Sequence, residues 1–268
     1  MSAPLVDAAG TLHVPAFGGS RIVSLVPSVT ELVCDLGLAD ELVGRTGFCV
    51  HPRDIVRRIP KVGGTKDVDL GKVRALAPTH AILNVDENRK EDARALAEFV
   101  PSIIVTHPLG PLDNPALYRL IGGIFGRERE AEALCARFEA EYAALDAAAG
   151  ALSTERVLYL IWKKPWMTVS RDTYVSRMLA LVKWETVPAE AADRYPEIAL
   201  DDALIEARVV LLASEPYPFR EAHLEEVRAC VPQARRVSLI DGEMTSWYGS
   251  RAIAALRYLL KFREASPT

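Results

Sequence analysis

A chain of 268 residues is long enough for one large domain or two smaller ones. Half of it is hydrophobic and a quarter charged, as in a soluble globular protein, and a net charge of −4 argues against nucleic acid as a partner. No apolar run approaches the ~18 residues of a membrane span. The first 20 residues carry no Lys or Arg and no apolar h-region, so the chain as written reads as cytoplasmic, a periplasmic form requiring a leader already removed.

Residues 1–20 show no periodicity and read as an extended lead-in. Residues 21–26 (RIVSLV) form a β-rich run ending at Pro27, and Ser28-Val29-Thr30-Glu31 has the form of a capping box for a helix that stops at Gly37. A short strand at 42–45, the loop FCVHP at 48–52 and a turn at Gly63-Gly64 follow. Asp69 opens a helix to Leu76, and 79–85 (THAILNV) is a strand. Asn88 to Glu91 is a second capping-box pattern, 102–106 is a strand, and Asn114-Pro115 starts a helix with Pro at its favoured first position.

Residues 127–152 form the longest periodic stretch. Ala131, Leu134, Cys135, Phe138, Tyr142, Leu145 and Ala149 fall at i, i+3, i+4, i+7 spacing, one apolar stripe on a 3.6-residue period. At ~1.5 Å per residue the rod is roughly 36 Å long. The pattern then restarts: strands at 156–162, 209–213 and 236–240, helices at 173–182, 201–207, 221–230 and 250–262. Strands alternating with helices imply parallel βαβ units. The two halves repeat in order and pattern, RIVSLV answering RVLYLI and LGKVRALAPTHAILN answering LDDALIEARVVLLAS. The expected fold is α/β: a lead-in at 1–20, a lobe at 21–126, a backbone helix at 127–152 and a similar lobe at 153–268, with mostly parallel sheets and a ligand cleft between the lobes.

Ligands of parallel α/β sheets bind beyond the carboxyl ends of the strands. Those ends read FCVHP, DENRKED, THPLGP, WKKPWM, SEPYPF and DGEMTSWYGSR. Trp166, Trp247 and Tyr248, with Tyr217, suit stacking on a large flat or ring-shaped ligand; local packing of Pro-rich loops is the plainer account of the same rings. Arg251 could meet an anionic group, and Glu87 is either a polar contact or a first-turn helix acid. Cys49 and His51 have the types of soft metal ligands, completed by His107, Glu215 or Glu243, although C-x-H is weak spacing. The four cysteines are dispersed and form no disulfide framework.

In this combination the chain resembles the helical-backbone substrate-binding proteins of ABC importers, and its opening is most similar to the vitamin B12 and iron–siderophore receptors. The carriers are RIVSLVPSVTELVCDLGLADELVG, LGKVRALAPTHAIL, the single linking helix and DGEMTSWYGSR, so the resemblance spans about residues 21–262. It implies a monomeric, non-catalytic receptor for a metal chelate such as cobalamin, needing no cofactor of its own, with Trp247 or Tyr248 near the ligand. It also implies an ABC permease as partner, docked through one surface glutamate per lobe. Those positions fall on Gly71 and Asp202, so only the second can serve, although Asp67 and Asp69 lie beside the first. The competing expectation is a cytoplasmic metal-handling protein or enzyme on the same scaffold, with Cys49, His51, Glu87 and Glu215 converging.

Overall fold

The computed structural model describes residues 4–16, 18–200 and 207–265. Contacts divide the chain into two compact units: Met1–Pro108, Leu112–Phe138 and Tyr248–Arg251 in the first, Leu109–Pro111, Glu139–Trp247 and Ala252–Thr268 in the second. The fold is α/β with two parallel sheets.

The first unit contains β1 (Ile22–Ser24), β2 (Leu42–Arg45), β3 (His80–Asn84) and β4 (Ser102–Thr106), paired in parallel in the order β2-β1-β3-β4. Its helices are α1 (Pro27–Asp35), α2 (Arg53–Val56), α3 (Leu70–Ala75), α4 (Lys90–Ala97) and α5 (Asn114–Ile124). Crossover helices cover both faces of a parallel sheet, so its strands become apolar runs. Val23, Leu25, Ala81 and Leu83 accordingly pack with Val62, Val73, Leu96 and Val100 in one core.

The long helix α6 (Glu128–Ala149) has 22 residues, its first half in the first unit and its second half in the other. Six of the seven stripe residues are buried, and Tyr142 is half-buried. Gly122 lets α5 approach α6, because a Cβ there would stand 2.6 Å from that of Ala131.

The second unit contains β5 (Glu155–Leu160), β6 (Trp166–Met167), β7 (Trp184–Thr186), β8 (Glu197–Ile198), β9 (Val209–Ala213) and β10 (Arg236–Ile240). Four of these form the second parallel sheet, ordered β10-β9-β5-β7. Its helices are α7 (Tyr174–Ala180), α8 (Glu221–Cys230), α9 (Gly242–Ser246) and α10 (Arg251–Glu264). The core joins Leu158, Leu160, Val210 and Leu212 to Val227, Val231 and Phe219.

Several expectations are corrected. Neither capping box caps a helix. Val26 is the N-cap of α1 and Arg89 that of α4, both without a side-chain cap. Thr30 turns its hydroxyl to Val26 O at 2.9 Å instead. Asn88 accepts from Asn84 N–H at 2.8 Å and donates to Leu25 O and Thr65 O, so it ties the end of β3 to the segments after β1 and before α3. Strand β7 escapes periodicity because it is three residues long with an exposed Glu185 at its centre. The small antiparallel pair β6–β8 is likewise too short to read. The segment read as a helix from 201 lies outside the described residues, apart from Ala207.

The lead-in is built rather than merely extended. Asp7 accepts from the amides of Ala9 and Thr11 at 2.9 and 2.8 Å with one oxygen, and from Val105 N–H on β4 at 2.9 Å with the other. That second oxygen also meets His13 Nε2 at 3.1 Å, and Ser102 Oγ lies 3.3 Å from His13 Nδ1. The Nε2–H tautomer fits both contacts, since Asp7 can only accept and the serine hydroxyl can donate. Ala8 N–H donates to Val105 O at 2.9 Å, so the turn completes the free edge of β4. Removing a buried acceptor that serves this many donors is costly. Asp7→Ala is therefore expected to expose the amides of Ala9, Thr11 and Val105 to hydrogen exchange while β9 stays protected; unchanged protection at those three amides would refute the role given to Asp7.

Candidate functional site

The loops after β2 and β3 occupy the carboxyl edge of the first sheet. Arg45 is buried and donates to Thr46 O and Val56 O at 3.0 Å each, holding the chain from 46 to 56 as a closed loop. Cys49 turns inward from it, fully buried, with the hydroxyls of Thr30 and Thr46 at 3.0 and 3.2 Å from its sulfur. Its neighbours turn outward: Phe48 is 62% exposed and Val50 44%. After β3, Asn84 Oδ1 accepts from the amides of Asp86 and Glu87 at 2.8 and 3.3 Å, which sets the loop, and Val85 is 50% exposed. Glu87 accepts from Tyr248 Oη at 2.5 Å. Burial, and then the Glu87 charge, push the Tyr248 hydroxyl well above its ordinary pKa, so it stays a donor. His107 Nε2 lies 3.5 Å from Asp86 Oδ2, an ion pair only when the imidazole is protonated.

In the second unit the equivalent edge is aromatic. Trp162 follows β5, is 40% exposed and meets Tyr217 edge-on at 5.5 Å. Tyr217 packs on Phe219 at 4.7 Å, and Trp166 stacks on Phe219 at 6.1 Å. Lys163 pairs with Glu226 and leans over the Trp166 ring at 5.6 Å.

Helix α9 lies inside the stretch DGEMTSWYGSR, which the sequence presents as a loop. Asp241 caps it, accepting from Glu243 N–H at 3.0 Å; an Asp followed by a helix-permissive run was the available signal. Glu215 accepts from Ser246 Oγ at 2.9 Å and from Trp247 Nε1 at 2.7 Å. Gly242 is required by close approach: a Cβ there would stand 2.6 Å from Glu215 Cγ and 2.9 Å from Glu215 N.

The sequence candidates thus fall into separate groups. Trp247 and Tyr248 are 7% exposed each, their polar tips bound to Glu215 and Glu87. Trp166 and Tyr217 are half-buried in the second unit's aromatic cluster. Arg251 does not present an open cation: its guanidinium is bidentate with Glu31, both contacts 2.8 Å, and both side chains are largely buried. Burial raises the Glu31 pKa, and Arg251 opposes the rise. The metal or nucleophile reading of Cys49 with His51 is set aside. Burial pushes the Cys49 thiol up, away from the thiolate that either chemistry needs, and among the described residues no three His, Cys, Asp or Glu side chains gather to hold a metal ion. Gly71 is exposed in the first turn of α3, beside exposed Asp69, which caps that helix and pairs with Lys72 at 3.0 Å. Asp202 lies outside the described residues. Phe48, exposed just past a strand end, is not among the sequence candidates, although that position was a readable signal.

Two predictions test the Glu215 arrangement. Burial is the largest influence on its carboxyl and holds its pKa above the ordinary 4.5, against the two donors that lower it. A raised carboxyl pKa contributes stability at pH below the unfolded value and loses it as pH rises through the folded one. Glu215→Gln keeps an acceptor for Trp247 and cannot ionise, so its melting temperature relative to the wild type should rise between pH 4.5 and 7.5; a constant difference would refute the shift. Gly242→Ala should cost roughly 1–3 kcal/mol by overpacking, read by denaturant unfolding, whereas a neutral result would mean that the Glu215 contact is not tight.

The periplasmic binding protein family profile matches residues 22–229. The vitamin B12-binding protein of Vibrio parahaemolyticus is 24% identical over 196 residues, covering 72% of this chain and 70% of that protein. The vitamin B12-binding protein of Pectobacterium atrosepticum is 21% identical over 189 residues, covering 69% and 67%. In fold, the chain matches the periplasmic vitamin B12-binding protein of Vibrio cholerae with a TM-score of 0.78 at 16% identity, over 92% of this chain and 98% of that one. It matches the periplasmic heme-binding protein of Roseiflexus sp. RS-1 with a TM-score of 0.79 at 23% identity, over 92% and 99%. A match spanning most of both sheets places the chain in the periplasmic binding protein family, whose members are substrate-binding transport proteins rather than enzymes.

Proposed function

We propose that this chain is the substrate-binding protein of an ABC import system and that its ligand is a metal chelate with a broad apolar face, of the cobalamin or iron-complex class. The observation that carries the reading is where rings are left exposed. Among the described residues, Phe48, Trp162 and Tyr195 are the exposed aromatics, and the first two sit just past the carboxyl ends of β2 and β5. Val50 and Val85 add exposed aliphatic surface to the first sheet's edge. Rings and aliphatics in these places suit the faces and edges of a macrocycle better than they suit a small ion or a sugar. The curated relatives' names, vitamin B12-binding proteins, support the same class.

In this reading Glu87, Glu215 and Glu31 set the loops through Tyr248, Trp247 and Arg251, and the exposed rings meet the ligand. Tyr217 backs Trp162, and Trp166 backs the cluster through Phe219. A permease would be met through Asp202 in the second unit. Asp69, held ionised by the Lys72 amide and ammonium, would stand in for the acid missing at Gly71.

Fluorescence titration of the purified chain with cyanocobalamin, hemin and a ferric hydroxamate should give saturable tryptophan quenching with one of them. Trp162→Ala and Phe48→Ala should each weaken that binding at least ten-fold (about 1.4 kcal/mol) with an unchanged melting temperature. Absence of saturable binding to all three chelates would end the proposal.

A further inference from the structure

The first unit holds a cavity of about 480 Å3 that reaches Asn84, Val85 and Asn88 at the end of β3 but includes none of the exposed rings. Its floor is the apolar face of the sheet, with Leu83, Ile103 and Val105. Ala8 and Ala9 close one side, on the turn that Asp7 fastens to β4. The other wall is α4 and its N-cap, and the helix is used selectively. Positions 89, 90, 93, 94 and 97 line the cavity, the i, i+4 face of a helix, whereas Glu91, Asp92 and Glu98 do not. The wall therefore presents Ala93 and Ala97 at the bottom with Arg89, Lys90 and Arg94 as a cationic rim, in a protein of net charge −4.

None of these three cations has an ion pair or a side-chain hydrogen bond among the described residues; Arg89 reaches Asp92 only through space. Several other arginines of the chain behave differently: Arg119, Arg228, Arg235, Arg251 and Arg257 each hold a carboxylate. A half-open apolar hollow within the ~300–1,000 Å3 range of ligand pockets, rimmed by positive charge, is complementary to one chemistry.

We infer that this cavity is a second binding site, for a small amphipathic carboxylate: an aliphatic or aromatic body lies on Leu83, Ile103 and Val105, and the carboxylate meets Arg89 and Arg94, with Lys90 at the mouth. The site shares Val85 with the exposed edge of the first sheet, takes neither Phe48 nor Trp162, and requires only the first unit.

The test is isothermal titration of the full chain with octanoate, acetate, octyl glucoside and octyltrimethylammonium. Octanoate should bind one-to-one and saturably, and the other three at least ten-fold more weakly, because each lacks either the tail or the negative head. Arg89→Gln with Arg94→Gln should weaken octanoate at least ten-fold, as should Ala93→Phe, which projects a ring from the α4 wall into the cavity. A Lys61→Gln, Lys261→Gln control of equal charge change should leave binding unaltered. Circular dichroism establishes that each variant is folded, and the two glutamine substitutions, at exposed positions, keep the test decisive if Ala93→Phe unfolds. No saturable octanoate binding, equal binding of acetate or octyl glucoside, or unchanged affinity in the double glutamine variant would each overturn the inference.

Discussion

Parallel pairing is the constraint from which the rest of this structure follows. Both four-stranded sheets are parallel along every pair, β2-β1-β3-β4 and β10-β9-β5-β7. A parallel strand cannot return through a tight turn; the chain must cross over, and the crossing helix buries one face of the sheet. Two consequences are visible in the residues. The strands become apolar through their length, as in Val209–Ala213, buried at each position. All carboxyl ends also collect on one edge of each sheet, so residues far apart in sequence arrive together in loops that the scaffold holds but does not fill.

Those loops are positioned by carboxylates. Glu215 gathers Ser246 and the Trp247 indole, Glu87 takes the Tyr248 hydroxyl, and Glu31 takes the Arg251 guanidinium. Each acid is half-buried, and for Glu31 and Glu215 burial dominates the shift in pKa. Such groups are tolerable only when well supplied with donors. The stretch from 241 to 251 is therefore not a free loop. It is a short capped helix followed by three side chains, each already committed to an acid.

This explains which part of the molecule was legible in the sequence. Apolar periodicity located seven of the eight sheet strands and the long helix, because burial imposes the period directly. It missed β7, whose three residues hold no full alternation. The site was less legible because its residues have two possible uses. Trp247, Tyr248 and Arg251 have the residue types of ligand contacts, but their partners lie 32, 161 and 220 positions away, beyond any spacing rule. Asn88 is not a cap for the same reason: a residue able to cap a helix can equally clamp distant parts of the chain, as Asn88 does with Leu25 and Thr65. Asp7 and His13, in a stretch with no periodicity, became an anchor only once β4 stood beside them.

The distinction between committed and uncommitted side chains then carries the functional argument further than residue type does. Trp247 and Tyr248 bury their rings and satisfy their polar atoms locally, so they need no ligand to account for their geometry. Phe48 has no polar tip to satisfy, and its 62% exposure has no local return. The Arg45 clamp that buries Cys49 turns Phe48 and Val50 outward in the same movement. One exposed apolar side chain is ordinary on any protein; Phe48 and Val50 together, on one loop held by a buried arginine, are what the proposed ligand surface rests on. The same reasoning applies to Arg89, Lys90 and Arg94, which hold no carboxylate by an ion pair or a side-chain hydrogen bond among the described residues, whereas Arg119, Arg235 and Arg251 each do. In a fold whose acids are occupied with holding loops, the groups left without partners are the ones positioned to receive a ligand.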